Sequence, residues 1–138
     1  MKIQPITESR YRKLLWTYIA LTLATIVSSL FPIYSENLET AYNAEPETWF
    51  ISHYWIAVPG ATIFALTWVA GLIGLFFFKN WARALSTYTT LMGFFIYTLI
   101  GTSLHSGLES AFIEASATLW GIILALSYFS PISEKFER

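Results

Sequence analysis

Four side chains that could do acid–base or metal chemistry are predicted to lie on one face of the protein: His53, His105, Glu109 and Glu114. Imidazole and carboxylate groups can exchange protons or bind a cation. The residues come from separate segments, however, and lack the short spacings of known metal-binding motifs. We therefore predict no metal site, no cofactor and no catalytic residue. The alternatives are a ligand, cation or proton site, or a metal site that includes His53.

Glu114 lies on a predicted helix, where it shares a face with small residues that begin at Thr118. A carboxylate exposed to lipid would cost a few kcal/mol, which predicts that Glu114 faces protein. His105 follows Tyr97 and Gly101 at four-residue spacing, so these three share a helical stripe. A tight turn joins the two segments, and the sequence therefore predicts a His105–Glu114 hydrogen bond.

Glu109 has a different predicted role, at the start of the same helix. Ser106-x-x-Glu109 fits a capping box, although Ser110 is an alternative cap. Glu109 is then a structural residue at the helix start.

Cysteine and aspartate are both absent, and all nine acidic residues are glutamates. Disulfides, thiolate nucleophiles and Asp-based triads are thereby excluded. The sequence also contains no HExxH, GxSxG, phosphate-loop or GxGxxG motif. We therefore predict a protein that is not an enzyme.

The composition indicates the environment in which these residues lie. Of 138 residues, 55% are apolar, 18% are aromatic and 12% are charged, against about 25% charged in average soluble domains. So few charges cannot cover the surface of a small soluble protein. This excludes a disordered chain, a nucleic-acid binder and an ordinary soluble enzyme, and predicts a protein whose main partner is the lipid bilayer.

Four apolar stretches predict an all-α, integral membrane four-helix bundle that forms a single domain over residues 1–138. The predicted spans are about 14–31, 58–78, 84–104 and 111–129, with an outer loop over 32–57. Pro32 ends the first span. Pro59 is either the first residue of the second membrane helix or a kink within a longer one. Asn80 is the predicted N-cap of the third helix.

The basic residues predict the orientation. With four spans, both termini and the 79–83 turn lie on one side of the membrane, and all eight basic residues fall there: Lys2, Arg10, Arg12, Lys13, Lys79, Arg83, Lys135 and Arg138. The opposite side has none. The positive-inside rule then places both termini in the cytoplasm.

Small residues at four-residue spacing predict close helix contacts, since packing rather than apolar burial joins helices in lipid. The predicted packing residues are Ala20, Ala24, Ser28, Gly71, Gly74, Gly93, Gly101, Ala117, Gly121 and Ala125. These faces meet inside one bundle or, alternatively, one of them faces another chain.

Lys79, Trp81 and Arg83 are predicted cytoplasmic anchors. Trp68, Tyr97 and Trp120 lie deeper and need polar partners in the membrane.

The segment FFFKNWARAL at 76–85 and the ending SYFSP at 127–131 resemble turns and chain ends of small four-helix bacterial inner-membrane proteins of unassigned function. The resemblance implies an inner-membrane, multi-pass fold with both termini cytoplasmic, and carries no catalytic residues.

Three functions fit these predictions. The first is a non-enzymatic accessory or interaction subunit, whose partner is another membrane protein or a second copy of the chain. The second is an oligomeric small transporter or channel, although its pathway would need polar residues along its depth. The third is a membrane immunity protein that protects its host from a toxin.

Overall fold

The computed structural model describes residues 6–31 and 34–137, so that Lys2, Pro32 and Arg138 lie outside the described residues. The described segments are all-α and contain no strand. Six α-helices and a C-terminal 3₁₀ helix follow in order: α1 Glu8–Ser29, α2 Glu36–Asn43, α3 Trp49–Ser52, α4 Tyr54–Phe76, α5 Asn80–Ile100, α6 Gly107–Phe129 and the 3₁₀ helix Pro131–Phe136.

The start of α1 has a side-chain cap, whereas the start of α5 has none. The hydroxyl of Thr7 accepts from the Arg10 backbone N–H at 3.4 Å, so α1 begins before the apolar run that predicted it. Lys79, and not Asn80, is the N-cap of α5. The prediction for Asn80 was wrong because its side-chain oxygen accepts from Arg83 at 2.6 Å instead.

Helix α4 begins at Tyr54 and contains Pro59 in its second turn. Pro59 therefore lies inside a longer helix, and the alternative in which the helix begins at the proline is wrong. Pro59 lacks a backbone N–H, and the helix therefore loses one hydrogen bond there. The preceding turn, α3, is a separate short helix.

The end of α4 is a tight reversal centred on Phe78, whose φ is 52°. The Lys79 N–H donates to the Gly74 carbonyl at 2.9 Å, and the Phe78 N–H to the Leu75 carbonyl at 3.2 Å. This is the Schellman arrangement, which usually takes glycine at the left-handed position. The centres of the Phe78 and Phe136 rings are 5.3 Å apart. This packing offsets the energetic cost of the left-handed backbone at Phe78.

Helix α5 ends at Ile100, before the predicted boundary of 104. Gly101 has a φ of 85° and breaks the helix. Residues 101–106 have no regular secondary structure. The capping box at Ser106 then starts α6.

The helices associate as two antiparallel pairs, α1 with α6 and α4 with α5. Fewer contacts join α5 to α6 and α1 to α4. The buried core lies towards the end of the molecule that holds the Phe78 turn and the 3₁₀ helix. It is formed chiefly by Tyr11, Leu15, Leu75, Ala82, Ile123 and Phe136.

Two helices, α4 and α6, are each 23 residues long and apolar enough to span a membrane. In each, 17% of the most apolar window is buried inside the protein. The remaining apolar surface points outward, as in Leu66, which is 64% exposed, and Phe129, which is 90% exposed.

Candidate functional site

His105 and Glu109 form the centre of the predicted outer polar site. Nδ1 of His105 lies 2.9 Å from Oε1 of Glu109, four residues along the chain. The second carboxylate oxygen of Glu109 accepts from the Ser106 backbone N–H at 3.4 Å. The Glu109 N–H in turn donates to the Ser106 hydroxyl at 3.1 Å. The capping box is thereby confirmed with Ser106, and not Ser110, as the cap.

Glu114 does not join this cluster. Its side chain is exposed, and within the described part of the chain it makes no hydrogen bond or ion pair. The predicted His105–Glu114 hydrogen bond is therefore wrong. The physical reason is helical geometry, because five residues rotate Glu114 by about 140° around α6 from Glu109. Glu109, which the capping box holds at the start of α6, is the carboxylate that contacts His105 instead.

His53 lies away from the His105–Glu109 pair, at the start of α4. Its Nδ1 is 2.8 Å from the Trp49 carbonyl oxygen, and its ring stacks on the Trp49 ring at 4.4 Å. Trp55 adds an edge contact at 6.4 Å. His53 thus fixes the turn between α3 and α4, and among the described residues no group of three His or acidic side chains is placed to hold a metal ion.

Three hydroxyl groups of the outer loop hold the irregular segment after α5. Thr48 donates to the Ile100 carbonyl at 3.2 Å, Tyr42 to the Thr102 carbonyl at 3.2 Å, and Tyr34 to the Leu104 carbonyl at 3.0 Å. The carbonyl groups are two residues apart, and the loop runs antiparallel to them. We call this set of three hydrogen bonds the hydroxyl clamp. It supplies partners for backbone carbonyls that no helix satisfies, and no sequence motif predicted it.

The hydroxyl clamp adjoins the His105–Glu109 pair through Tyr34. Burial first, and then the negative charge of Glu109, raise the pKa of the Tyr34 hydroxyl above its ordinary value. Tyr34 therefore stays protonated and able to donate well into the alkaline range.

The predicted packing residues divide into two groups. Gly71 and Gly74 are buried against α5, where an added Cβ would lie 2.6 Å from the Ser86 hydroxyl and 2.5 Å from the Ala82 Cβ. Gly93 is buried beside Phe64. On α1, Ser28 is buried, Ala24 is half-buried and Ala20 is exposed.

The predicted packing stripe of α6 lies on the outside of the protein. Ala117, Gly121 and Ala125 are all exposed, and an added Cβ on Gly121 would meet no atom within 4 Å. The interior prediction for this stripe was wrong because α6 instead turns Trp120, Ile123 and Ser127 inward, which are buried. Gly101 is also not a helix-packing residue. It is the C-cap of α5, and an added Cβ would collide with Thr48.

Among the predicted cytoplasmic anchors, Lys79 and Trp81 are exposed, whereas Arg83 is 8% exposed. The Arg83 guanidinium donates to the Ser127 carbonyl at 3.1 Å and lies 5.2 Å from the centre of the Tyr128 ring. Ser127 is in the last turn of α6, where carbonyl groups lack helical partners and a cation is favoured. Arg83 is thus an internal cap of α6, and its prediction as a surface anchor was wrong.

All four long helices meet in one aromatic cluster near their middle. Trp68 Nε1 donates to the Tyr18 hydroxyl at 3.0 Å, and Trp120 Nε1 to the Thr90 hydroxyl at 2.8 Å. The Tyr18 and Trp120 rings stack at 4.6 Å. The polar partners expected for Trp68 and Trp120 are therefore present, whereas Tyr97 is 69% exposed.

The polar groups described above are engaged in capping helices, pinning loops or joining helices. The His105–Glu109 pair has the chemistry of an acid–base couple, but the carboxylate also holds the start of α6. A comparison with known proteins adds no relative: no family model matches the sequence, and no curated protein or solved structure is significantly similar to it.

Proposed function

We propose that the chain is a multi-pass membrane protein that crosses a bacterial inner membrane with α1, α4, α5 and α6. The observation that carries the proposal is the outward apolar surface of α4 and α6, which are long enough to span and only 17% buried in their most apolar windows. Soluble monomers rarely expose apolar patches beyond a few hundred Å². Lipid is the solvent that stabilises such a surface.

Helices α1 and α5 are less apolar, but several of their hydroxyl groups donate to carbonyl groups of the preceding turn. Thr22 donates to the Tyr18 carbonyl at 3.0 Å, and Thr89 to the Leu85 carbonyl at 2.8 Å. Such bonds to the preceding turn let hydroxyl groups enter a bilayer without water. With 21 residues, α5 reaches the roughly 30 Å that the hydrocarbon core requires. In α1 the charged stretch from Glu8 to Lys13 would lie at the membrane surface, and the rest of the 22-residue helix would enter the bilayer.

The proposed orientation places both termini in the cytoplasm. In the structure the start of α1, the turn after α4 and the 3₁₀ helix lie at one end, where Lys135 pairs with Glu8 at 2.8 Å and Arg12 lies over the Phe78 ring at 5.3 Å. All the Lys and Arg residues that the structure describes belong to segments near this end. The positive-inside rule supports a cytoplasmic position.

Within the membrane we propose a non-enzymatic role, as an accessory or interaction subunit. The structural use of Glu109, His105 and Arg83 supports this role, since each is engaged in holding a helix end. The exposed stripe of Ala117, Gly121 and Ala125 supplies a face on which a helix of another membrane protein, or of a second copy, can approach closely.

The test is purification in a mild detergent followed by mass measurement of the intact particle. We expect the wild-type chain to carry a partner subunit or a second copy, and Gly121→Leu to release it while remaining folded. Ala115→Leu, on another exposed face of α6, is the matched control and should keep the partner. A wild-type chain that is strictly monomeric and free of partners would refute the interaction role.

A further inference from the structure

A long apolar groove lies between α4 and α5 in the half of the molecule that holds the outer loop. Its volume is about 750 Å³, and its lining includes Gly60, Ala61, Phe64, Met92 and Ile96. The small residues of α4 leave the space open, and the surrounding side chains are almost entirely apolar. Met92 is 55% exposed, so the groove is open to the surroundings of the protein.

A second, polar pocket of about 280 Å³ adjoins the apolar groove at its outer end. The two cavities share Ile51 and Ile100 as lining residues. Glu45 and Glu47 line the polar pocket together with Thr48. The hydroxyl clamp holds this pocket in place, because Thr48 is bonded to the Ile100 carbonyl at the junction of the two cavities.

The length of the groove matches an acyl chain of one membrane leaflet. Along α5 the lining extends from Tyr88 to Ile100, which is about 18 Å at 1.5 Å per residue. This is close to the roughly 15 Å depth of one leaflet, half of a 30 Å hydrocarbon core.

The charge of the polar pocket identifies the head group. Two carboxylates line the pocket, and the sequence contains no Lys or Arg between Lys13 and Lys79. An anionic head group would be repelled there, whereas an ammonium group would find opposite charge and oxygen acceptors.

From the continuity of the two cavities we propose that the protein binds an ammonium-headed lipid of the outer leaflet. One acyl chain would lie in the groove between α4 and α5, and the ammonium group would contact Glu45 and Glu47. This goes beyond the proposed interaction role, and the binding face is distinct from the exposed stripe of α6.

The experiment uses the full chain in maltoside micelles with photoactivatable lipids. Phosphatidylethanolamine with a diazirine in one acyl chain is compared with phosphatidylglycerol that carries the same chain, and labelled peptides are identified by mass spectrometry. We expect phosphatidylethanolamine to label the groove residues of α4 and α5 about fivefold more than phosphatidylglycerol, a preference of the size that two exposed ion pairs supply.

Two variants separate the head-group and chain contacts. Glu45→Gln combined with Glu47→Gln should reduce phosphatidylethanolamine labelling to the phosphatidylglycerol level. Ala61→Trp should fill the groove and abolish labelling there, whereas Ala115→Trp, an exposed alanine at similar depth on α6, should not.

Equal labelling by the two lipids, labelling spread over all outward faces, or labelling unchanged by Ala61→Trp would each overturn the proposal. So would a groove covered by a second copy of the chain. A bifunctional protein cross-linker, added without lipid, would then capture dimers through residues of the groove. None of these results bears on whether the chain spans a membrane, which the labelling of single cysteines measures separately.

Discussion

Glu109 joins three parts of the outer end of the molecule through one carboxylate. It accepts from His105, accepts from the Ser106 backbone, and lies close enough to Tyr34 to influence its ionisation. Only 6% of Glu109 is exposed, so water cannot replace these partners easily. We therefore expect Glu109 to stabilise the start of α6 more than a solvent-exposed capping residue would.

Replacing Glu109 tests this role. Glu109→Leu should lower the free energy of unfolding by about 1–3 kcal/mol, because the buried Ser106 N–H loses its acceptor. Glu109→Gln should cost less, since the amide oxygen still accepts. Chemical denaturation in detergent measures both. Glu114→Leu, at an exposed position of the same helix, is the control, and a loss there equal to that of Glu109→Leu would contradict the assignment.

Tyr34 predicts a dependence of stability on alkaline pH. Its hydroxyl must be protonated to donate to the Leu104 carbonyl, and the fold raises its pKa above the ordinary value of about 10. At a pH between the ordinary pKa and the raised pKa, Tyr34 keeps a proton in the folded chain that it has lost in the unfolded chain. The stabilisation is therefore complete below pH 10 and falls as pH rises towards the raised pKa.

The comparison of wild type with Tyr34→Phe isolates this contribution from the other titrating groups. Wild type should have the higher melting temperature at pH 8, and the difference should shrink at pH 11. A difference that stays constant over this range would show that Tyr34 does not lose its hydrogen bond on ionisation.

Among individual residues, the sequence predicted the capping box at Ser106 but not the His105–Glu109 hydrogen bond. Ser106-x-x-Glu109 is a local pattern, and local hydrogen bonds can be read from spacing. Glu114 was assigned inward because its helical stripe carries small residues. The structure turns that stripe outward, since small residues alone do not determine which face of α6 meets α1.

Between helices, α4 approaches α5 closely at Gly74. Gly74 is buried, and an added Cβ would lie 2.5 Å from Ala82 and 2.9 Å from Trp81. Gly74→Leu should therefore force the helices apart and cost about 1–3 kcal/mol. Thermal unfolding in detergent measures the loss. Gly121→Leu meets open space and should not lower the melting temperature of the chain purified free of partners. An equal loss in both variants would refute the predicted difference.

The existence of four long helices could be predicted from the apolar runs, whereas their ends could not. Thr7 extends α1 towards the N-terminus, and Gly101 shortens α5. Phe78 ends α4 in a conformation that usually requires glycine. That turn depends on the rings of Tyr11 and Phe136, which are distant in sequence and could not be anticipated from the local residues.

For the molecule as a whole, the pairing of α1 with α6 and of α4 with α5 leaves two faces open to the surroundings. One is the groove beside the outer loop, and the other is the stripe of α6 around Gly121. Composition indicated a bilayer environment, but which faces would be outward depends on contacts such as Tyr18 with Trp120.

The most direct test of the membrane-spanning arrangement is the labelling of single cysteines, which the cysteine-free sequence makes unambiguous. Exposed positions are available at the outer end, as Asn43→Cys and Leu108→Cys, and at the inner end, as Lys79→Cys and Glu137→Cys. Each variant is treated with a membrane-impermeant maleimide in bacterial spheroplasts before and after permeabilisation. We expect Asn43→Cys and Leu108→Cys to react at once, and Lys79→Cys and Glu137→Cys only after permeabilisation. Reaction of all four in intact spheroplasts, or of Lys79→Cys and Glu137→Cys on opposite sides, would contradict four spans with both termini inside.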